Sequence, residues 1–331
     1  MPWTVEQAQE WHNRYYPIYG CNYLPRTAVN STEMWQEATF DLPTIVEELT
    51  WAADAGYNAI RVFLPFLVWE ADSDGFYHRL EALLNVAEER GIGMMPILFD
   101  DCAFAGREPS LGPQSDPVPG VHNSGWTPSP GHSLVKDISQ WHRLEGYVRG
   151  VVGKFGGDAR ITIWDLYNEP GNGVPMEESL PLVEAAFRWA QAEAPHQPLT
   201  VGAWREFDSD SSRRLYELSD LVSFHAYGSP DAVQALCQRL RAYNRPLLCT
   251  EWLHRPNGNT FDAIVPIFRE FEVGWYHWGL VAGRTQTYMP WGSKVGDPEP
   301  ALWQHDVFHS SGMAYDPREM ALLRQSYEQA I

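Results

Sequence analysis

The sequence predicts an α/β protein folded as a single (β/α)8 TIM barrel spanning residues 1–331. Two observations carry that expectation. Short apolar runs alternate with segments of helical period, which is the mark of parallel strands joined by crossover helices, and eight such units can be counted. The length of 331 residues also fits a barrel of about 250 residues with long loops added.

In chain order, the apolar runs place strands at 18–24, 58–64, 93–99, 161–167, 199–203, 221–225, 246–251 and 274–280. The connecting segments read as helices. Residues 44–55 put Ile45, Val46, Leu49, Ala52 and Ala53 on one face. The next segment repeats the pattern with Leu80, Leu83, Leu84 and Ala87, and Gly91 follows as a C-terminal stop. The same period recurs at 141–155, 181–194, 231–243, 261–271 and 316–329, while 208–218 is shorter and more polar. Two connections are long: 100–136, rich in Pro and Gly, and 281–315, rich in Trp and His. Both follow strands, and in such a barrel the loops after strands build the active-site face.

Composition narrows the function. Hydrophobic residues make up 44% and charged residues 20%, ordinary values for a chain with a sizeable core. Aromatic residues reach 13%, with 15 Trp and 15 Tyr, and part of that excess suits stacking on sugar rings. A net charge of −19 repels phosphate backbones and anionic lipid surfaces, which argues against nucleic-acid and membrane partners. Cys21, Cys102, Cys237 and Cys249 lack zinc-ligand spacing and are expected as buried free thiols. The segment 1–16 carries Glu6, Glu10, His12 and Arg14, so it lacks the apolar stretch of a signal peptide, and a cytoplasmic location is expected. No stretch approaches the roughly 18 apolar residues of a membrane span.

Two strand ends carry acids. The run from Ile161 closes on Asn168, Glu169 and Pro170, and the run from Pro246 closes on Thr250, Glu251 and Trp252. On the fourth and seventh strands of a barrel, both glutamates face one basin. A pair of carboxyl groups about 5 Å apart can hydrolyse a glycosidic bond with retention, one protonating the leaving oxygen and the other attacking the anomeric carbon.

Asn-Glu-Pro after strand four, combined with Thr-Glu-Trp at strand seven, resembles clan A of the glycoside hydrolases, most closely family 5. That resemblance implies Glu169 as acid/base, Glu251 as nucleophile and Asn168 as a hydrogen-bond partner of the substrate 2-hydroxyl. Further positions match one by one. Arg61, in Asn-Ala-Ile-Arg-Val-Phe, resembles the arginine that keeps the nucleophile ionised. His225 and Tyr227, in Phe-His-Ala-Tyr, resemble the His-x-Tyr whose histidine sits near the acid/base and whose phenol hydrogen-bonds the nucleophile. Trp278, in His-Trp-Gly, resembles the tryptophan flooring the glycone subsite.

The sequence departs from the family pattern after strand three. Many members carry a substrate-binding histidine there, whereas this chain has Asp100-Asp101-Cys102. His122 and Asn123, with Trp126 as a stacking wall, are candidates to replace it from the same loop; Asp101 or Asp100 could instead bind sugar hydroxyls. Gly-Cys-Asn-Tyr-Leu-Pro near residue 20, His-Asn-Ser-Gly-Trp at 122–126 and Gly-Arg-Thr-Gln-Thr at 283–287 resemble a small bacterial branch labelled cellulase-like or xylanase-like. Placement in family 5 implies that this branch extends to exo-acting β-mannosidases.

The resemblance implies an oligosaccharide or β-glycoside substrate, with no metal and no organic cofactor. Trp126, Trp291 and Trp303 are expected to wall off one end of the cleft, which favours removal of terminal sugars over endo-acting cleavage of cellulose, mannan or xylan. At rest, Glu251 is expected ionised and Glu169 protonated. A metal-dependent barrel hydrolase would open with His-x-His on strand one, where this chain has Cys21-Asn22-Tyr23. A non-catalytic carbohydrate-binding barrel would have lost one glutamate, and both are present. The sequence leaves the sugar, the linkage and the oligomeric state open.

Overall fold

A computed structural model describes residues 2–328. Among them are eight parallel strands: β1 (Tyr19–Asn22), β2 (Ala59–Phe63), β3 (Gly93–Ile97), β4 (Trp164–Asn168), β5 (Leu199–Gly202), β6 (Val222–His225), β7 (Leu247–Glu251) and β8 (Gly274–Trp278). Their order is β5-β4-β3-β2-β1-β8-β7-β6. Because β1 pairs with both β2 and β8, the sheet wraps round on itself. The seam lies between β5 and β6. It is joined by a bridge from Ala203 to Phe224, with the Ala203 amide donating to Ser223 and the His225 amide to Ala203. The expected (β/α)8 barrel is therefore present and nearly closed.

Each strand falls where its apolar run predicts, trimmed at the ends. The largest difference is β4, which starts at Trp164 instead of 161. Ile161 is held in a turn, its amide donating a hydrogen bond to the Asp158 carbonyl at 3.2 Å, and reaches β3 only through an isolated bridge to Met94. The sequence reads as continuous apolar runs because both faces of each strand are buried. Ile60, Val62, Met94, Trp164, Val201, Phe224, Cys249 and Trp275 join the core beneath the helices. Ala59, Met95, Ile163, Leu221, Leu248 and Tyr276 fill the bottom of the barrel.

The crossover helices are Leu42–Ala55, Ser73–Glu88, Trp141–Phe155, Met176–Ala192, Asp210–Leu218, Pro230–Leu240, Phe261–Glu270 and Pro317–Glu328. The expected end of the last at Gln329 lies outside the described residues. Pro181, expected to open its helix, sits inside it, since Glu177 and Glu178 in the first turn favour an earlier start by complementing the helix dipole. All four cysteines are free and buried, as expected. Among the described residues no helix is long and apolar enough to cross a membrane.

The helix Val5–Tyr15 was not among the elements expected from the sequence, where only three of its residues, Ala8, Trp11 and His12, are buried. A Thr4/Gln7 capping box starts it. Its buried face, Ala8 and Trp11, packs on the bottom layer as a floor to the barrel, and the Trp11 indole donates to the Thr162 carbonyl at 3.1 Å.

Two register shifts re-aim the upper layer. The β4–β5 pairing slips between Asp165 and Asn168, and the β6–β7 pairing slips between Phe224 and His225, so that His225 lies opposite Glu251. An extra residue in one strand turns side chains to the other face. Asp165 and Asn168, three positions apart, thus both reach the barrel interior, where both accept hydrogen bonds from Arg61.

Truncating the floor tests this packing. Trp11→Ala is expected to cost about 3 kcal/mol of stability, read as a lowered urea midpoint. An unchanged midpoint would show that the helix is not part of the barrel core.

Candidate active site

Arg61, on β2, is the centre of the site. Its side chain is fully buried, and its five N–H groups meet five acceptor contacts. Nε and Nη2 donate to Asp165 Oδ2 at 3.0 and 2.7 Å. Nη2 also donates to Asn168 Oδ1 at 2.6 Å, and Nη1 to Asn22 Oδ1 at 2.7 Å and Glu251 Oε1 at 3.1 Å. The contact with Glu251 was expected. The claim of Asp165 on the same guanidinium was not, because an acid inside an apolar run gives no sign in sequence of which face it takes.

Glu251 ends β7. Its second oxygen accepts from the Tyr227 hydroxyl at 2.9 Å, as the His-x-Tyr resemblance implies. Glu169 follows β4 at a positive φ of 46°, a conformation costly for a side chain with a Cβ and typical of functional turns. Its carbonyl accepts from the Asn172 amide at 3.0 Å, closing a tight turn. Its Oε1 meets His225 Nδ1 at 2.7 Å, and the same nitrogen lies 3.4 Å from Glu251 Oε2. One ligand atom each from Glu169, His225 and Glu251 lie within 4.8 Å of one another. That geometry brings the two carboxyl groups to the same imidazole nitrogen, and the three atoms are close enough to share a cation.

The two carboxyl groups are shifted in directions opposite to the sequence expectation. Burial pushes the Glu169 carboxyl up, but the hydrogen bond and charge of His225, aided by Cys102 and Asn172, outweigh it and hold the group below its ordinary value. Glu251 moves the other way. Burial, with the charge of Glu169 added, raises it against the pull of His225, Arg61 and Tyr227. The two carboxyl groups titrate as a coupled pair.

Above the pair opens a cavity of about 530 Å³, lined by Asn168, Glu169, Tyr227, Glu251, Trp278, His122, Asn123 and Trp126 among the expected residues. Arg61 and His225 lie beneath it. Asn168 is fixed at both ends of its amide, with Arg61 on its oxygen and Asp100 taking one N–H at 2.9 Å. Its other N–H has only the Cys102 sulfur, at 3.6 Å, and the cavity. His122 is anchored through Nδ1 to the Met289 carbonyl at 2.7 Å, and burial lowers its pKa to about 4, so it faces the cavity as a neutral ring.

Two expectations are corrected. Asp101 does not face the cavity. Its carboxylate is fully buried and accepts from the Tyr167 hydroxyl at 2.6 Å, the Gly171 amide at 2.8 Å and the Ser179 hydroxyl at 2.5 Å, which ties down the turn carrying Glu169. Asp100 likewise serves the frame, accepting from Trp126, Asn168 and the Cys102 amide. Trp303 does not wall the cleft either: it is buried, stacked on Tyr315 at 4.7 Å. Trp126 and Trp291 do line the cavity.

The residues that sequence reasoning missed are Cys102, Asn172, Phe104, Trp204 and His305 on the cavity wall and Asp165 below it. Cys102 was visible as the departure after strand three, but only its fold position shows the thiol donating to Glu169 Oε2 at 3.1 Å.

No protein-family model matches the sequence, and no curated protein matches it. Solved structures do. The exo-beta-1,4-mannosidase Op5Man5 from Opitutaceae bacterium strain TAV5 superposes with a TM-score of 0.68 at 19% identity; the match covers 96% of this chain and 60% of that one. A GH5_18 protein from Streptomyces cattleya, in complex with GlcNAc, gives 0.62 at 14% identity over 95% of this chain and 81% of its own. The endo-1,4-beta-D-mannanase from Thermotoga petrophila RKU-1 gives 0.59 at 12% identity over 94% and 99%. Likeness at such identities establishes the barrel fold.

The framing role of Asp101 has a direct test. Asp101→Ala leaves three donors without their acceptor, at about 1–3 kcal/mol each. Stability should fall by several kcal/mol in denaturant, and the Gly171 amide should exchange faster with deuterium. An amide that stays protected would contradict the role.

Proposed function

We propose that the chain is a retaining glycoside hydrolase similar to family 5 of clan A, releasing single β-linked sugars, foremost mannose, from the ends of short oligosaccharides. The observation that carries this reading is the Glu169–Glu251 pair, with carboxylate oxygens within 4.8 Å across His225. That separation suits direct attack by one carboxylate, whereas inversion needs the wider gap of about 6.5–9.5 Å that admits a water.

In the first step a Glu251 oxygen attacks the anomeric carbon while Glu169 gives its proton to the glycosidic oxygen, and the carbon–oxygen bond to the leaving group breaks. Arg61 and Tyr227 hold the attacking carboxylate in place. Once Glu251 is esterified its charge is gone, and Glu169, now a carboxylate, takes a proton from the water that frees the sugar. The remaining N–H of Asn168 is placed to bind the 2-hydroxyl.

The exo mode is supported by the two long loops, which are latched to each other beside the cavity. The Asn123 amide donates to the Thr285 carbonyl at 2.8 Å, the Gly120 amide to Gln286 Oε1 at 2.8 Å and the His122 amide to Ser293 Oγ at 2.9 Å. Arg284 pairs with Asp116 at 3.1 Å. On this reading the Gly-Arg-Thr-Gln-Thr segment is the latch of a wall at one end of the cavity, and a cavity walled in that way admits a chain terminus. Mannose is supported by the names of the similar structures, two of which are described as acting on β-mannosyl linkages.

Initial hydrolysis of an aryl β-mannoside should release the β-anomer, read by early NMR spectra. The α-anomer appearing first would rule out the pairing of Glu169 with Glu251. Glu169→Gln and Glu251→Gln should each lower turnover by several orders of magnitude with unchanged circular dichroism, and a chelator should leave the wild-type rate intact. Aryl β-mannoside should be cleaved faster than aryl β-glucoside. A rapid viscosity loss on soluble mannan with aryl monosaccharides untouched would replace the exo reading by an endo one.

Glu251 must be ionised to attack, and its carboxyl is raised above the ordinary 4.5, so the ionised fraction is lost at a higher pH than for a solvated glutamate. The limb of the kcat/KM profile set by Glu251 should lie above that value. Tyr227→Phe removes a hydrogen bond that favours the carboxylate and should move the limb further up. A downward move would contradict the contact.

A further inference from the structure

Resting on the glycosidase reading, the structure also accounts for the residues that replace the family histidine after strand three. Glu169 Oε1 faces His225, and Oε2 receives two donors: Cys102 Sγ at 3.1 Å and Asn172 Nδ2 at 2.5 Å. Both donors are themselves held. The Cys102 amide binds Asp100 Oδ1 at 3.0 Å, and Asn172 belongs to the turn closed on the Glu169 carbonyl. Asn172 Nδ2 also lies 3.4 Å from the sulfur, so the thiol, the amide and the carboxylate form one compact group on the cavity wall. Burial and the surrounding carboxylates push the Cys102 thiol well above its ordinary value, so it keeps its proton and remains a donor.

We propose that Cys102 and Asn172 act as a two-donor clamp on Glu169 Oε2, positioning residues that stabilise the carboxylate formed as Glu169 hands its proton to the leaving group. In that step the proton moves from Glu169 to the glycosidic oxygen, the bond from that oxygen to the anomeric carbon breaks, and the bond to Glu251 forms. Negative charge grows on Glu169 as the proton departs. Hydrogen bonds to a developing anion strengthen with its charge, so the clamp contributes more in the transition state than in the ground state. Its effect is confined to substrates whose leaving group needs the proton. A dinitrophenolate departs as a stable anion without one, whereas a sugar or alkyl alkoxide does not.

The test compares kcat/KM on an alkyl or disaccharide substrate with kcat/KM on the dinitrophenyl glycoside of the same sugar. For Cys102→Ala and for Asn172→Ala the ratio of the two should fall about tenfold relative to wild type. Cys102→Ser, which keeps an O–H donor, should restore most of the ratio. The limb of the alkyl-glycoside profile set by Glu169 should move to higher pH in the two alanine variants, because Glu169 holds its proton more tightly without the donors. Equal losses on both substrates, or no loss on either, would overturn the clamp and leave Cys102 a packing residue. A wild-type protein inactive on every glycoside would instead overturn the glycosidase reading itself.

Discussion

The site depends on one buried cation. Arg61 sits inside the barrel with all five of its N–H groups engaged, and removing any acceptor would leave part of its charge unpaired in a medium where that costs several kcal/mol. Asn22 from β1, Asp165 and Asn168 from β4 and Glu251 from β7 are all held to one planar group. A guanidinium is suited to this because its donors are fixed in a plane and it is never deprotonated. The positions of the two proposed catalytic carboxyl groups follow from it: Glu251 is bound directly, and Glu169 is the next residue after an asparagine that is.

Charge sharing follows from the same constraint. Asp165 and Glu251 both draw on Arg61, and burial, with the charge of Glu169 added, raises the Glu251 carboxyl against the pull of His225, Arg61 and Tyr227. His225 then becomes the balance of the site, lying within 3.4 Å of both glutamates. The expectation of an ionised Glu251 beside a protonated Glu169 weighed Arg61 and Tyr227 on the one and Glu251 and partial burial on the other, without Asp165 or the contact of His225 with both. The barrel places five ionisable groups in one connected set of contacts, so each carboxyl answers to several neighbours.

Sequence carried the barrel well, since strands buried on both faces must be apolar throughout, and helices such as Leu42–Ala55 show their one-sided period directly. It carried Glu169 and Glu251 because strand ends in a barrel converge whatever the loops do. It could not carry the direction of Asp101, four residues past β3, where no periodicity fixes which way a side chain turns and the buried donors of Tyr167, Gly171 and Ser179 decide. Trp303 failed for the same reason. Its loop is long enough to fold back on itself, and the ring found Tyr315 instead of the cleft. The register shifts at β4 and β7 were equally hidden, although they bring Asp165 and His225 into the site.

The central claim is that Glu251 forms a covalent bond to the sugar while Glu169 assists. A dinitrophenyl 2-deoxy-2-fluoro-β-mannoside tests it most directly, because fluorine at C2 slows both steps while the activated leaving group keeps the first one fast enough to trap the intermediate. The account predicts a mass increase of one fluorosugar per chain, located by peptide mapping on Glu251, and a return of activity as the adduct turns over. No adduct under conditions where the parent mannoside is hydrolysed, or an adduct on any other residue, would contradict it.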